Sequence, residues 1–507
     1  MSFRKNVLSN YCGHFYVTLI GIVIVPAYLK YLGAAAFGLI SLYVILQSWL
    51  SLLNMGLIPA LSREVTCSRD GKGSFLKVNQ LLRSLEIIFL VINLFVVLGI
   101  TLCSYWIAHR WLKVHNLSYF EVMSCISMMS IMIGFRFFSD LYRASISGME
   151  EQVWLNGARM ILATLQYGGA YILLRWITRT PGHFFEYQVA ISAIEPILLG
   201  IKCYKIIPTT INRFSNFCIS WAELRKILPF AGGLFYTAIL WILVSQSDKL
   251  ILSHILPLTT YGYFGLVTII SSGMLQFGMP IYLALLPKMT HLLSQNKKEE
   301  MLRLYRNATQ FVVVIMFSLV GIIAIFSAHV VYIWTGNAIA ANWAGPILFW
   351  YALGNGFFCV SAFQFYLQFA FGDIKLQVIS DTLLVLISLP LIIFSAYHYG
   401  AKGTAITWFL MRGLFFFIWS PIVHHKYALG IHYDWLLKDI FPIFIAVLAT
   451  VLCIKKIPIH FELISRVEGF IILTCFALFT LLTAALASST CRDFFARFAQ
   501  ERKDLKV

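Results

Sequence analysis

Apolar residues run along this chain in stretches of about twenty or more, separated by short polar breaks. The stretches do not alternate at period two, so they predict helices and not the strands of a membrane barrel. A helix of about 20 apolar residues crosses the roughly 30 Å of bilayer hydrocarbon. The pattern predicts an all-α integral membrane protein with about fourteen transmembrane helices, near residues 12–31, 36–62, 84–108, 117–142, 154–177, 184–207, 227–256, 261–286, 308–333, 343–371, 376–398, 403–423, 437–454 and 467–489.

Two landmarks recur at one spacing and predict that the chain is duplicated. Gly38 opens the apolar segment at residues 37–63, and Gly262 opens a similar segment later in the chain. The spacing between these two glycines, the repeat offset, also relates Gly148 to Gly372, each in a polar break between two spans. The repeat predicts two pseudo-symmetric six-helix lobes around a central cavity, residues 1–225 and 226–430, followed by two additional helices and a basic tail at residues 431–507.

Composition supports the membrane assignment and excludes several functions. Apolar residues make up 60% of the chain and charged residues 12%, with a mean hydropathy of +0.80. Soluble domains hold about 25% charged residues. The loops are short, no glycine-rich phosphate loop is present, and the ten cysteines lack paired spacing. We therefore expect no enzymatic activity, no cofactor and no metal site.

Basic residues predict the orientation of the chain. Of the 39 Lys and Arg, 27 lie on one side of the predicted spans or at that end of a span, including Arg143 and Arg159, and ten lie on the other side or at the other end; Arg136 and Arg412 are inside spans and are assigned to neither side. The positive-inside rule places the richer side, with both termini, in the cytoplasm. Loops beside anionic lipid thus explain most of the net charge of +17, and nothing in the sequence points to nucleic acid.

Two segments resemble a known family. Residues 10–63 contain an N-x-x-G spacing at 10–13, YLG at 31–33, AFG at 36–38 and NMGL-x-x-A-x-x-R at 54–63, and residues 245–266 contain SQSDKLIL followed by YGYFGL. These segments are similar to the first spans and the seventh span of the bacterial polysaccharide (O-antigen type) flippases. The resemblance implies the multidrug, oligosaccharidyl-lipid and polysaccharide exporter superfamily, in which two six-helix lobes form a V around a cavity.

The resemblance also implies a function and partners. The substrate would be an undecaprenyl-diphosphate-linked oligosaccharide, moved from the cytoplasmic to the periplasmic leaflet of the bacterial inner membrane. Independently of the resemblance, acids within the spans and the lack of a nucleotide-binding loop predict H⁺ or Na⁺ as the coupling ion. A polysaccharide polymerase complex is a candidate partner. Many such flippases have twelve spans, whereas lipid II flippases have fourteen. A lipid II-type flippase or a small-molecule exporter of the same superfamily therefore stays open as an alternative, and a membrane enzyme of lipid-linked sugar assembly is disfavoured by the short outer loops.

Ionisable residues inside spans are costly and mark candidate sites. Candidate diphosphate-binding cations are Arg412, Arg136, Lys249, Arg63 and Lys288, and candidate ion-coupling acids are Asp248, Glu195, Asp381 and Asp140. Candidate aromatic residues for stacking on sugar rings are Trp49, Tyr43, Tyr236 and Trp241.

Most of these candidates also have a structural explanation. Arg136 and Asp140 lie one helical turn apart on one helix and could neutralise each other. Glu195 precedes Pro196 and could bond backbone groups that a kink frees. Arg412 lies mid-span with no opposite charge within two turns of its own helix.

The remaining charges lie nearer the ends of their spans. Arg63 and Lys288 fit positive-inside anchors. Asp248 and Lys249 fit either an interfacial pair or a functional one. Arg412 is therefore the strongest functional candidate of the set.

The distribution of basic residues predicts a topology that reporter fusions can test. Fusions after residues 75, 215 and 298 should report cytoplasm, and fusions after residues 113, 179 and 338 should report periplasm. A periplasmic signal at residue 215 would contradict the two-lobe organisation, because that loop joins the predicted lobes.

Overall fold

The computed structural model describes residues 3–54, 56–71, 74–207, 221–459, 461 and 464–493. In this part of the chain the protein is helical, and one isolated β-bridge joins Lys113 to Pro257. The reporter position at residue 215 lies outside the described residues. The helices are α1 Phe3–Leu50, α2 Leu57–Arg69, α3 Phe75–Trp106, α4 Tyr119–Gly148, α5 Gln152–Ala163, α6 Ala170–Trp176, α7 Pro181–Ile206, α8 Trp221–Ile255, α9 Leu258–Gln276, α10 Met279–Ser294, α11 Lys298–Ile325, α12 Ser327–Thr335, α13 Ala338–Ala370, α14 Lys375–Tyr427, α15 His432–Asp434, α16 Phe441–Lys455 and α17 Arg466–Ala487.

Ten helical segments of the described chain are long and apolar enough to cross a membrane. Two of these segments each cover two predicted spans, because α1 and α14 turn at Gly33 and Gly400, where φ is 81° and 59°. Glycine adopts such φ values without a steric cost. The fifth and sixth predicted spans, which are not among the ten segments, lie on α5 to α6 and on α7. Every predicted span thus lies on helical segments, and the predicted all-α integral membrane fold is confirmed.

The second and eighth predicted spans are interrupted in the structure. A 3₁₀ turn at Ser51–Asn54 separates α1 from α2, and Gly56 between them has a φ of 68°. The matching span of the second half breaks between α9 and α10. The sequence pattern did not predict these breaks, because apolar residues continue through both.

The described chain forms two compact units, Met1–Gly262 and Tyr263–Val507. The predicted lobe boundary at residues 225 and 226 lies within the first unit, and the division into lobes stays a prediction. Within the first unit, a Cβ at Gly262 would contact the Ala34 carbonyl, and a Cβ at Gly38 would contact the Leu258 carbonyl. The two glycines of the repeated motif therefore allow the backbone of α1 to lie close to residues 258–262 at the start of α9.

A matching ion pair occurs in each unit. Lys202 at the end of α7 binds Glu151 in the α4–α5 corner at 3.1 Å. Lys426, which the repeat offset relates to Lys202, binds Asp373 in the α13–α14 corner at 2.7 Å. The hydrogen bond from Lys426, with one from the Lys375 backbone N–H, holds the pKa of Asp373 at about 2. The two lysines are related by the repeat offset, and their acid partners, although not at that offset, lie in the matching helix corners, as a duplicated chain predicts.

The last two helices pack on α11 through a buried polar cluster. Asp439, just before α16, is 2% exposed and accepts two hydrogen bonds from Arg306 and one from Gln310. The Gln310 carbonyl oxygen in turn accepts a hydrogen bond from Ser488 at 2.7 Å, just after α17. Polar groups that satisfy one another inside an apolar core fix the register of the elements they join.

Asp439→Ala should destabilise the protein strongly, because it leaves the Arg306 guanidinium partly buried without its counter-charge. Breaking a buried pair costs roughly 3–5 kcal/mol, and we expect the lower end because Arg306 is partly exposed. The midpoint of thermal unfolding in detergent measures the effect. Asp434→Ala, which removes a surface partner of Lys438, is the matched control and should leave the midpoint unchanged. Equal midpoints for the two variants would contradict the assigned role of Asp439.

Candidate functional site

A cluster of charged side chains joins α4 to α7 inside the first unit. Arg143 contacts Asp140 at 3.2 Å and forms a close ion pair with Glu195. Arg136 lies two turns further than Arg143 from the C-terminal end of α4. Its Nε is 3.4 Å from Asp140 and its Nη1 is 3.7 Å from Glu195. The pairing predicted from the spacing of Arg136 and Asp140 is therefore present, and Glu195 completes it from the neighbouring helix.

A third arginine faces this cluster. Arg159 on α5 interacts electrostatically with Arg136, Arg143 and Glu195. Among the described residues Arg159 has no ion pair within 4.0 Å, and neither Arg159 nor Arg136 donates a side-chain hydrogen bond. Each guanidinium has five N–H donors. The cluster therefore holds three cations against two carboxylates and retains unused donors.

Two tyrosine hydroxyls lie within electrostatic range of the same charges. Tyr43 on α1 interacts with Arg136, Asp140 and Glu195, and Tyr167 interacts with Arg136 and Arg159. Tyr167 belongs to a π-helical turn at Thr164–Gly169 between α5 and α6. Such turns are rare and are frequent at functional sites, because they redirect side chains within a span.

The cluster lies well inside its helices. At a rise of about 1.5 Å per residue, Arg136 is roughly 18 Å from the end of α4, Glu195 roughly 16 Å from the end of α7, and Arg159 roughly 10 Å from the start of α5. All four clustered side chains of α4 and α7 are partly exposed, between 19% and 35%. The described protein therefore does not fully enclose these side chains.

The matching positions of the second unit are neutral. The repeat offset relates Asp140 to Gln364, and it relates Pro196, the neighbour of Glu195, to Ser420. Gln364 donates a buried hydrogen bond of 2.8 Å to Ser420 and so joins α13 to α14 without charge. The helix contact therefore does not itself require ionised residues.

The second unit holds a different cation. Arg412 on α14 is 8% exposed, and its guanidinium carbon lies 4.5 Å from the Phe358 ring centre and 4.3 Å from that of Trp408. Its buried Nη2 has no hydrogen-bond partner among the described residues. Asp381 interacts with it electrostatically but not within 4.0 Å, and accepts a hydrogen bond from Gln377 at 2.9 Å. Two aromatic faces thus hold a cation whose N–H groups remain available.

Hydrogen bonds fix one wall of the Arg412 site. Trp408 Nε1 donates to Asn355 at 3.2 Å, and Asn355 donates to the Ser271 carbonyl at 3.0 Å. The Trp408 ring is thereby oriented independently of Arg412. The site is consequently preorganised around the guanidinium.

The other predicted candidates lie apart from these two groups. Lys249 pairs with the buried Asp248 at 3.2 Å and donates to the Ser245 carbonyl of its own helix. Arg63 on α2 and Lys288 on α10 are exposed. The aromatic candidates Tyr236 and Trp241 are 44% and 51% exposed, whereas Tyr43 and Trp49 are partly buried.

Sequence reasoning missed two arginines of the cluster. The sequence pattern places Arg143 and Arg159 on the positive-inside side, because each lies near a span end. Comparison of positions related by the repeat offset could have pointed to the charged sites from the sequence. Asp140 has a neutral counterpart in Gln364, and Arg412 has one in Gln188. Charges that occur in only one half of a duplicated chain are candidates for function.

Comparison with known proteins places the chain in a family. A family described as "Polysaccharide biosynthesis protein" matches residues 3–293. The chain belongs to this polysaccharide biosynthesis protein family. It is similar to a protein of Shigella flexneri named "Putative O-antigen transporter", with 21% identity over 417 residues that cover 80% of this chain and 94% of that protein.

Solved structures show which fold this chain shares with other proteins. "Lipid II flippase MurJ, inward closed conformation" is similar with a TM-score of 0.68 and 15% identity, covering 94% of this chain and 98% of that one. An inward-facing multidrug resistance MATE family transporter is similar with a TM-score of 0.64 and 11% identity, covering 81% and 94%. The predicted superfamily fold is confirmed, and the chain is a multi-pass membrane protein.

Arg412→Gln should stabilise the protein, because it removes a buried charge that has no contacting counter-ion. We expect a gain of about 1 kcal/mol, since the lost cation–π contacts offset part of the desolvation penalty. Glutamine is also the residue of the first half at this position, Gln188. The thermal unfolding midpoint in detergent is the measurement, with Arg303→Gln on the exposed face of α11 as the control.

A destabilised Arg412→Gln variant would contradict this expectation. If neutralising Asp381 as well restored the midpoint, the two residues would form a structural ion pair instead.

Proposed function

We propose that this protein is a flippase that moves an undecaprenyl-diphosphate-linked oligosaccharide, an O-antigen or other surface polysaccharide repeat unit, from the cytoplasmic to the periplasmic leaflet. One observation carries the proposal: three arginines face two carboxylates inside the membrane helices of the first unit. Membership of the polysaccharide biosynthesis family and the named activity of the Shigella flexneri relative support it.

The chemistry of the substrate explains why a cationic interior is needed. A diphosphate carries negative charge that hydrocarbon cannot solvate, so a pathway must replace its water with donors. A guanidinium offers a planar fork of N–H groups that matches phosphate oxygens and stays charged. Arg136 and Arg159 have donors that the described protein leaves unused, and Tyr43 and Tyr167 add hydroxyls beside them.

Among the other candidate cations, we propose that Arg412 offers a separate contact for an anionic group within the second unit. Its Nη2 is buried and without a partner among the described residues, and Trp408 provides an aromatic face beside it. Lys249 is held by its own helix, and Arg63 and Lys288 are exposed at the ends of the second and eighth spans. We propose that these three contribute to attraction of the headgroup and not to its direct binding.

Transport draws on an H⁺ or Na⁺ gradient in this proposal, and Asp381 is the acid that fits the coupling role best. Asp140, Glu195 and Asp248 each have an ion pair within 4.0 Å. Asp381 has none among the described residues and is held by Gln377 alone. A carboxylate that no cation contacts can exchange an ion without first breaking an ion pair.

We further propose that the protein lies in the bacterial inner membrane with both termini in the cytoplasm, as the distribution of basic residues supports. The arginine cluster then lies in the cytoplasmic half of its helices, where a lipid-linked substrate made in the cytoplasm would arrive. A polysaccharide polymerase complex would receive the product on the other side.

Flipping in proteoliposomes tests the proposal directly. Purified protein should expose an undecaprenyl-diphosphate oligosaccharide with a fluorescent sugar to an outside quencher faster than protein-free liposomes do. Arg159→Gln and Arg412→Gln should each slow flipping about tenfold or more, because one charge-assisted hydrogen bond contributes roughly 1.5–3 kcal/mol. Arg303→Gln is the matched control and should flip at the wild-type rate.

Other outcomes would favour the alternatives. No flipping of the oligosaccharide lipid, with uptake of a cationic dye, would favour a small-molecule exporter. Flipping that persists unchanged when both the proton and the sodium gradient are collapsed would contradict ion coupling.

A further inference from the structure

The carboxylates of the first unit's cluster occupy the guanidinium groups that an anionic ligand would use. Glu195 contacts both Arg143 and Arg136, and it is the only acid of α7 that does so among the described residues. Asp140 contacts the same two arginines from within their own helix, one turn away from each. The Glu195 carboxylate therefore links the two helices, whereas Asp140 stays with α4.

The second unit indicates that Glu195 is not needed to join the helices. A neutral hydrogen bond between Gln364 and Ser420 joins the matching helices there, with both side chains buried. An acid at position 195 is needed only because arginines are present. Cations in a low-dielectric interior must have a counter-charge when no ligand is bound.

We infer that the Glu195 carboxylate is a displaceable counter-ion, which holds Arg143 and Arg136 while the site is empty and gives way when a diphosphate binds. This inference rests on the proposed function for the class of ligand. The diphosphate would bind Arg143 and Arg136 in place of Glu195, together with Arg159, which already has no ion pair with the described residues. Glu195 then competes with the ligand, unlike the arginines, which bind it.

If Glu195 competes with the ligand, removing its charge should increase the affinity for the ligand. A structural role or a ligand-binding role for Glu195 would predict the opposite change. Removing a competitor strengthens ligand binding, whereas removing a binding residue or a structural support weakens it. Glu195→Gln keeps the shape of the side chain and removes its charge. We expect this variant to bind inorganic diphosphate about tenfold more tightly than the wild type, which corresponds to roughly 1.4 kcal/mol.

The experiment measures binding of inorganic diphosphate to the purified full-length protein by titration calorimetry, in low and in high salt. Arg143→Gln should weaken binding at least fivefold. Glu151→Gln is the matched control, because it also neutralises an acid of the first unit. Glu151 pairs with Lys202, which lies two turns after Glu195 on α7, and its loss should leave the affinity for diphosphate unchanged. Glu195→Asp retracts the carboxylate by one methylene and should bind with intermediate affinity, which keeps the test valid if Glu195→Gln does not fold.

A second arm of the experiment uses undecaprenyl diphosphate in mixed micelles. Comparison of the two arms shows whether the site binds free diphosphate or the diphosphate of a lipid. Tighter binding by Glu195→Gln in both arms supports the inference and the proposed function together. Tighter binding of inorganic diphosphate alone supports the inference and contradicts the lipid-linked substrate. Equal or weaker binding by Glu195→Gln, while Arg143→Gln loses affinity, overturns the inference and leaves the proposed function standing. No binding to the wild type or the variants overturns both.

Discussion

Hydrocarbon offers no hydrogen bonds and poor solvation of charge, so polar groups within the spans must find partners in the protein. Most of them do. Glu86 accepts hydrogen bonds from Arg83, Tyr142 and Tyr204, and Asp439 is enclosed by Arg306 and Gln310. Against that background, the arginines that donate no hydrogen bond to the described protein, Arg136, Arg159 and Arg412, are costly exceptions. Unsatisfied charges of this kind mark candidate sites, because a bound ligand can supply the interactions that the protein does not.

Duplication supplies the frame on which these exceptions are built. Lys202 and Lys426, which the repeat offset relates, each bind an acid in the matching helix corner, and the second and eighth spans break at matching places. Structural contacts recur because each half packs in the same way. The charges of the two candidate sites do not recur: Asp140 matches Gln364, and Arg412 matches Gln188. The two halves share a scaffold and differ in the chemistry that they place inside it.

The candidate site of each unit stabilises its arginines by a different means. The first unit uses carboxylates, which neutralise charge but also compete with an anionic ligand. The second unit uses the faces of Phe358 and Trp408, which attract the Arg412 cation without occupying its N–H groups. The two sites would consequently respond differently to a ligand, the first by exchange of one anion for another and the second by direct addition.

The sequence by itself determined the class of the protein and the positions of its spans, because apolar runs of about twenty residues leave a helix as the structure that satisfies their backbone in lipid. It also indicated the repeat through Gly38 and Gly262. It singled out Arg136 and Arg412, because a charged residue within an apolar span can be recognised without knowing which residues it contacts. Only the tertiary structure decided which charges meet. Arg143 and Arg159 belong to the cluster because α5 and α7 each pack against α4. Arg412 has no contacting carboxylate among the described residues, because its neighbours are aromatic. Contacts between helices depend on how each helix is rotated about its axis, and apolarity on all sides of a span leaves that rotation unspecified in the sequence.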